Sequence, residues 1–415
     1  MPKPATARAI LSSAAGTGTR WGVVALYVAA VFLYWVSLYL YVPTLPTYAE
    51  SKSDTLALVG VVLSMYGLWQ AIVRLPLGIA ADWLGRRKPF IVAGFALAGL
   101  GAWAMGAAGG VRGLIVGRAI TGLAAGTWVP LIVVFSSLFP PHESVRASAL
   151  LTLISSIARV LATGVTGALN GWGGYPLAFF LAAGAAALAI LLVLPGRERV
   201  RPQRRPSLRG IGTLVLRRDV LLPSLLSAVS QYANWAITFG FMPVLAEKLG
   251  ATDVAQSLLV SMNLGVLTLG NLVATAVVNR IGARRLVQAG FLLLSAGIGG
   301  AALAPALPFL FVAQLCIGLS TGVSYPVLMG MSIRHVAEGE RTTAMGLHQA
   351  VYAVGMFSGP WLSGMLADAL GMRPMFGVTA GFCLAAGLFL TRWLTAERRS
   401  PGDEIGQDLQ NEQDG

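Results

Sequence analysis

The sequence predicts an all-α integral membrane protein with twelve transmembrane helices, built as two six-helix repeats. The 415 residues are 56% hydrophobic and only 11% charged, whereas soluble domains carry about a quarter charged residues. A helix needs about 20 apolar residues to cross a bilayer. Segments of that length are centred near positions 32, 68, 99, 124, 158, 185, 233, 265, 295, 320, 355 and 384. Barrel strands are about half as long and alternate in polarity, so the composition favours helices.

The two halves of the chain resemble each other. Four pairs of segments share residues at offsets of 195–200 positions, namely 35–45 with 235–245, 82–88 with 279–285, 117–136 with 313–332, and 145–149 with 340–344. A parallel repeat of six helices about an axis normal to the membrane is typical of transporters. The first segment, Trp21–Val42, is as long as a spanning helix and lacks a convincing cleavage site, so it is predicted to be retained rather than removed as a signal peptide.

The distribution of lysine and arginine predicts the orientation. With a cytoplasmic N-terminus, 23 of the 30 basic residues face the cytoplasm, four face outward, and three lie within the membrane. The positive-inside rule therefore puts both termini in the cytoplasm. The expected location is the plasma (inner) membrane. The rule also explains the net charge of +13 without nucleic acid.

The same patterns divide the chain into five parts. These are a cytoplasmic N-tail (1–20), a first six-helix half (21–195), a basic cytoplasmic linker (196–219), a second six-helix half (220–395) and an acidic, disordered C-tail (396–415). The two cysteines have no metal-ligand spacing, and no glycine loop followed by Lys-Ser/Thr is present. We therefore expect no metal and no cofactor.

The second predicted helix ends in GIAADWLGRRK (78–88). Its glycines allow close packing and a tight turn, and its basic residues anchor the cytoplasmic face. Asp82 can cap a neighbouring helix and release it when the halves move. These residues predict a conformational latch made of Gly78, Asp82, Gly85, Arg86 and Arg87. Plain determination of topology is the alternative interpretation.

The loop 78–88 resembles a signature of the major facilitator superfamily. Arg118-x-x-Thr121-Gly122-x-x-Ala125-Gly126 is similar to that family's signature in the fourth helix, with Thr where Gln is usual. The resemblance spans the whole chain. It implies the family's twelve-helix fold, a central cavity lined by helices one, four, seven and ten, and a latching role for the loop aspartate. The family's drug antiporters carry a further motif in helix five, which this chain lacks.

Three arginines are predicted to lie inside the membrane. Arg74 precedes Asp82 by eight residues, or about 12 Å along a helix, which places it near the midplane. Arg118 and Arg159 also lie several residues within their helices. Each central arginine costs roughly 2.5–3.5 kcal/mol on insertion scales, and no Asp or Glu lies deep in any segment. An anionic cargo, backbone carbonyls or water are the remaining partners.

Polar stripes on several helices complete the predicted cavity. Polar side chains repeat on one helix face every three to four or every seven residues, and in lipid such a face must contact protein or water. The cavity residues predicted besides the arginines are Tyr34, Tyr41, Gln231, Asn234, Thr238, Ser324 and Tyr325. Hydrogen bonding between helices is the alternative role for about half of them.

Two further sets of residues are singled out. His348 lies within a predicted span and is a candidate proton site; the alternative is a fixed hydrogen-bond donor. Prolines recur at equivalent places in the two halves and are predicted to bend gating helices. The gating and packing residues are Pro43, Pro130, Pro243, Pro326, Gly359 and Pro360.

The sequence thus predicts a secondary transporter that moves a small organic solute by alternating access. An anionic, zwitterionic or amphipathic cargo is expected, and protons or a counter-ion are the candidate coupling partners. The rival hypotheses are a multidrug/proton antiporter that exports lipophilic compounds and, from other classes, a non-transporting receptor or an intramembrane enzyme. The expected partners are this solute and the lipid bilayer, without nucleic acid, and the expected functional unit is a monomer.

Overall fold

A computed structural model describes residues 5–140, 143–195, 214–337 and 340–394. Side chains are described from Trp21 onward, apart from seven positions that include Gly78 and Asp82. The predicted C-tail, most of the linker (196–213), and the side chains of the N-tail therefore lie outside the described residues. Within them the chain is helical and contains no strand.

Six helical rods form the first half of the chain. Helix α1 runs over Ala5–Tyr39 and continues through a 3-10 turn (Val42–Thr44) into a short helix, Leu45–Glu50. The next rods are α2 (Leu56–Leu84), α3 (Lys88–Gly106) and α4 (Val111–Ala125, continued by Trp128–Ser136). The long helix Ser144–Val193 is interrupted at Gly173 and Gly174, and it is described here as α5 (144–172) and α6 (175–193).

The second half repeats this order. Helix α7 runs over Arg218–Ala236, passes through a π-helical segment (Ile237–Phe241) and continues as Met242–Lys248. The remaining rods are α8 (Asp253–Ile281), α9 (Ala283–Leu303), α10 (Leu307–Arg334), α11 (Arg341–Leu370) and α12 (Met372–Phe389).

Nine helices of the described residues are long and apolar enough to cross a membrane. One of them contains both α5 and α6, while α7 and α11 are not among the nine. The all-helical membrane fold is therefore confirmed. The count of twelve crossings stays a prediction, although the described residues form twelve rods.

Glycine and proline residues mark the irregular points of the helices. Gly85 ends α2 with φ 63°, a left-handed conformation that glycine adopts without strain. Pro43 lies in the 3-10 turn after α1, and Pro243 follows the π-helical segment of α7. Pro130 lies in the first turn after the break in α4. Pro326 and Pro360 lie inside α10 and α11, which continue without a break.

The two halves pack more closely at one end of the bundle than at the other. Most residues of α8 that are buried fall within its first twelve positions, Asp253–Leu264, and only Gly270 and Ala274 are buried beyond them. Buried positions in α2 likewise concentrate between Val59 and Gln70. We call the end that holds Glu50, Lys248 and Asp368 the closed side, and the opposite end, where α2 ends and α11 begins, the open side.

Helices α2 and α11 are antiparallel and pack most extensively of all helix pairs in the described residues. Gly60 and Gly67 of α2 lie directly against the backbone of α11. A Cβ atom added at Gly67 would lie 2.5 Å from the backbone of Met356 and Phe357, and one at Gly60 would lie 2.3 Å from the carbonyl oxygen of Pro360. This seam joins the two halves from the closed side to the middle of the bundle.

Candidate functional site

Arg74 lies at the inner end of the α2–α11 seam, with 8% of its surface exposed. Its Nη1 donates a hydrogen bond to the hydroxyl of Tyr352 on α11. Its Nη2 donates to Oε1 of Gln70, one turn earlier on α2, at 3.0 Å. The guanidinium carbon also lies 5.4 Å from the centre of the Tyr352 ring. Arg74 therefore bridges the two halves, while its Nε has no partner among the described residues.

Tyr352 belongs to a cluster with Tyr325 of α10 and His348 of α11. The rings of Tyr325 and Tyr352 meet edge to face at 5.8 Å, and the His348 ring lies 6.4 and 6.2 Å from them. His348 Nδ1 is 3.1 Å from the Ser224 hydroxyl on α7. Three helices of the second half thus converge on the arginine of the first half.

Arg118 is almost fully enclosed, with 1% of its surface exposed. Its guanidinium carbon lies 4.2 Å from the ring centre of Tyr66 on α2 and 5.9 Å from that of Trp235 on α7. Its Nε and Nη1 have no hydrogen-bond partner among the described residues. A desolvated cation over an aromatic face gains about 2 kcal/mol, which offsets part of the cost of burying the charge.

Arg159 on α5 is half-buried and faces α1. It donates hydrogen bonds to the Ser155 carbonyl at 3.2 Å and the Ser156 hydroxyl at 3.1 Å. Its guanidinium carbon lies 5.2 Å from the ring centre of Trp35 and 5.7 Å from that of Tyr39.

A continuous row of aromatic rings joins the helices near these arginines. We call it the aromatic wall; in order of contact it consists of Trp128, Trp35, Tyr39, Phe239, Trp235 and Tyr66, with successive ring centres 4.8–6.2 Å apart. It crosses between the halves at Tyr39–Phe239 and again at Tyr66–Trp235. Beyond it, toward the closed side, the ends of α1 and α7 are buried nearly throughout.

The three arginines share the lack of a carboxylate partner. Within the part of the chain whose side chains are described, none of them forms an ion pair, and every described Asp or Glu lies near an end of a rod. Buried charges are normally paired, so this region is suited to hold a small anion.

Several residues predicted to line the cavity are enclosed within one half. Tyr34 donates a hydrogen bond to the Ala124 carbonyl of α4 at 2.7 Å and contacts the ring of Phe95. Tyr41 stacks on Phe179 of α6 at 4.7 Å. These contacts place both tyrosines between helices of the first half in this conformation.

Some of the predicted cavity residues of the second half are likewise enclosed between helices of that half. Thr238 donates to Gln314 of α10 at 3.1 Å, and Ser324 faces α9, where a Cβ atom added at Gly290 would lie 2.2 Å from its hydroxyl. Asn234 is buried with an unpartnered Oδ1, and Gln231 is half-buried. Of the two predicted residues on α10, Tyr325 is the one that contacts His348 and Tyr352, the latter being the hydrogen-bond partner of Arg74.

The predicted latch and packing residues differ in their surroundings. Gly78 and Asp82 lie outside the described side chains, so the latch remains a prediction. Arg86 is exposed and Arg87 is half-buried in the turn after Gly85. Gly359 packs against the backbone of Tyr232 in α7, whereas the carbonyl of Pro360 faces α2.

Gln70, Tyr66 and Trp235 were not among the residues predicted from the sequence. Gln70 precedes Arg74 by four positions, and side chains at that spacing meet on a helix face, so this partner was accessible to sequence reasoning. Tyr66 and Trp235 are 169 positions apart, and no local pattern predicts that their rings stack.

Polar contacts between the halves gather at the closed side. The carboxylate of Asp368 at the end of α11 accepts hydrogen bonds from the backbone amides of Leu56 and Ala57 at 2.7 and 2.9 Å. Asn170 of α5 donates to Asp253 of α8 at 2.8 Å. The other contacts are an ion pair of Lys248 with Glu50 at 3.2 Å and a hydrogen bond of Thr47 with Gln256 at 3.2 Å.

We expect Asp368→Asn to weaken the closed side. The aspartate meets the positive end of the α2 dipole, a contact of about 0.3–1 kcal/mol for exposed groups. Its loss should shift the population of the closed side by a few fold. Spin labels are attached at Ser51→Cys and Ala369→Cys in a chain whose Cys316 and Cys383 are replaced. The distance between the two labels reports how far the closed side has opened. Asp54→Asn, an exposed carboxylate near the same helix start, is the control, and equal effects of the two variants would contradict the capping role.

Comparisons with known proteins show the family to which the chain belongs. The family model described as "Major Facilitator Superfamily" matches residues 27–230 and again 224–412. The multidrug resistance protein MdtH of Aeromonas salmonicida (strain A449) is 27% identical over 77% of this chain and 81% of its own. The uridine/deoxyuridine transporter of Lactococcus lactis subsp. cremoris (strain MG1363) is 31% identical over 50% of this chain and 44% of its own.

The fold is also similar to a solved structure. A bacterial homolog of the human lysosomal transporter Spinster, in an inward-facing and unoccupied conformation, superposes with a TM-score of 0.79 at 15% identity, over 92% of this chain and 99% of that chain. At this identity the likeness concerns the fold. The two family matches repeat along the chain, as the two sets of six rods do.

Proposed function

The chain belongs to the Major Facilitator Superfamily and is a secondary transporter, and we propose that its cargo is a small organic anion or zwitterion carried by alternating access. The observation that supports this cargo is the set of three buried or half-buried arginines without a carboxylate partner in the described residues. An anion that binds the unpartnered N–H groups of Arg74 and Arg118 replaces the water lost on burial. A lipophilic cation finds no partner of opposite charge in these arginines.

We propose that the closed side faces outward and the open side faces the cytoplasm. The positive-inside rule supports this, because Arg86, Arg87, Arg284 and Arg285 lie at the open side. In this orientation both termini of the chain are cytoplasmic, and we propose that the protein resides in the inner membrane. We propose further that the halves, residues 21–195 and 220–395, move as the two units of a functional monomer. In this proposal the protein is a carrier rather than an enzyme.

Export of lipophilic compounds is the second candidate. The aromatic wall supports it, since flat apolar compounds stack on such rings, and one relative is a multidrug resistance protein. It differs from the first candidate in what it requires of the arginines. Drug export uses them as scaffold that holds Tyr66, Trp235 and Trp35 in place, whereas anion transport uses them as ligands.

We propose His348 as the site where a proton enters the cycle. It is buried between Ser224, Tyr325 and Tyr352, and among the described residues Arg74 is a charged group that contacts this cluster, through its hydrogen bond to Tyr352. A proton on His348 would lie close to Arg74 and would be repelled by it, and it would occupy a ring nitrogen that could otherwise accept a hydrogen bond from the cargo. Proton binding and cargo binding would then exclude each other at this cluster, which couples the two as an exchange. In liposomes, His348→Gln should remove the dependence of uptake on a pH gradient. Unchanged dependence would contradict this role.

Counterflow in liposomes tests the proposed cargo. Purified protein is reconstituted with a panel of labelled organic anions, zwitterions and lipophilic cations, and exchange is measured for each. Exchange of anions or zwitterions that is lost in Arg74→Ala supports the proposal. Exchange of lipophilic cations at an unchanged rate in Arg74→Ala makes drug export the better account.

A further inference from the structure

We infer that the cargo carries two polar ends, an anionic group for Arg74 and a hydrogen-bond donor for Nε2 of His348. Amino acids and 2-hydroxy acids have this chemistry. The inference rests on the proposed anion transport and specifies the class of substrate that the site accepts. It follows from the hydrogen bonds that fix His348 and from the polar atoms around it that have no partner.

The tautomer of His348 follows from Ser224. The Ser224 hydroxyl lies 2.6 Å from the Val220 carbonyl, four residues earlier on α7, and donates its single proton there. Toward His348 Nδ1, at 3.1 Å, the same oxygen can only accept. The proton of the imidazole is therefore on Nδ1, and Nε2 is a bare acceptor.

The neutral form of His348 also follows from its surroundings. The side chain is fully buried, and Nε2 has no hydrogen-bond partner among the described residues. A proton on Nε2 would give a second buried cation beside the Arg74–Tyr352 pair. A buried acceptor without a partner costs about 1–3 kcal/mol, and a donor on the cargo removes this cost.

The unpartnered side-chain atoms on the helices of this site differ in kind. Among the described residues of α2 they are donors, the Nε of Arg74 and the Nε2 of Gln70. Among those of α7 and α11 they include two acceptors, the Oδ1 of Asn234 and the Nε2 of His348. A solute that satisfies both sets must present its anionic end to α2 and its donor end to α7 and α11.

Only one tyrosine ring separates the two ends of this site. The Tyr352 hydroxyl accepts from Arg74, and the Tyr352 ring packs beside the His348 ring. A simple monocarboxylate occupies the donors of the first half but leaves His348 bare. A cargo with both groups contacts both halves at once, which is what a carrier needs for its cargo to couple their movement.

Matched probes test the inference on the full-length protein in detergent. L-Phenylalanine and L-phenyllactate carry a donor at C2, and 3-phenylpropionate has the same ring and carboxylate without it. We expect wild-type protein to bind 3-phenylpropionate at least tenfold more weakly than the other two. His348→Leu should lose this preference and bind L-phenylalanine and L-phenyllactate no more tightly than 3-phenylpropionate, because their donor is left without a partner. His348→Gln, with an amide oxygen near the Nε2 position, should restore part of the preference.

The outcomes separate this inference from the proposed function. Equal binding of the three probes by wild type, or an unchanged preference in His348→Leu, overturns the two-ended cargo and leaves anion transport standing. If no probe binds wild type while lipophilic cations do, the proposed anion site itself is wrong.

A second measurement needs no ligand and no variant of the cluster. The chain has three histidines, so with His142→Gln and His335→Gln the nitrogen-15 spectrum of labelled histidine reports on His348 alone. We expect a protonated Nδ1 and a bare Nε2 at neutral pH. Protonation of Nε2 in the ligand-free protein overturns the inference.

Discussion

Arg74→Ala should abolish transport while the protein still inserts and folds. The substitution removes the cation that links α2 to Tyr352 and that we propose as the main ligand of the anion. Truncating one partner of a buried, hydrogen-bonded charge pair costs about 2–5 kcal/mol, and 1.4 kcal/mol is a factor of about ten. We therefore expect kcat/KM for cargo to fall at least about 30-fold.

Two further variants make this result interpretable. Arg74→Lys keeps the charge but not the forked donor geometry, so it should retain an intermediate rate. Arg112→Ala removes an arginine exposed at the start of α4 and should transport normally. Unchanged flux in Arg74→Ala, with normal elution and helicity, would show that Arg74 is not a ligand.

Gly67→Ala should also block transport, by preventing the closed side from forming. The added Cβ would lie 2.5 Å from two backbone atoms of α11, and backbone cannot turn aside as a flexible side chain can. The α2–α11 seam must then open, so the conformation described here is lost. We expect the distance between labels at Ser51→Cys and Ala369→Cys to lengthen and flux to fall to background.

The matched control for this prediction is Gly346→Ala. Gly346 lies on α11 itself, and no atom lies within 4 Å of a Cβ added there. Alanine favours helix over glycine by about 1 kcal/mol, so this variant should be as stable as wild type or more so. Full activity in Gly67→Ala would mean that the seam is not part of the transport cycle.

Features that depend on local composition and spacing were predictable from the sequence. The helical membrane fold follows from apolar segments long enough to span, and the repeat follows from residues shared at a constant offset. The burial of Arg74 and Arg118 also follows, because both lie well inside apolar segments. In these cases the sequence near each residue determines its environment.

Contacts between the halves could not be predicted in this way. Arg74 and Tyr352 are 278 positions apart, and the hydrogen bonds of Asp368 to Leu56 and Ala57 span more than 300 positions. Such pairs depend on which conformation the two halves adopt. A stripe of polar residues on one helix indicates that these residues share a face. It does not show whether that face lines the cavity or contacts a neighbouring helix.

Tyr34 and Ser324 illustrate that limit. Both belong to helices expected to line the cavity, yet Tyr34 bonds to the backbone of α4 and Ser324 faces α9. Tyr325, one position further along α10, reaches His348 and Tyr352 instead. Successive residues of a helix point about 100° apart, so assignment of each side chain requires the packing of the neighbouring helices.

Ligand-induced thermal stabilisation of the purified protein tests the central claim most directly, namely that the buried arginines bind an anionic cargo. A ligand specific to the folded state adds about 2.7 kcal/mol of stability at a hundredfold excess over its Kd. We predict that organic anions or zwitterions raise the Tm of wild type and leave that of Arg74→Ala unchanged. Stabilisation by lipophilic cations alone, or by anions equally in both proteins, would contradict the claim.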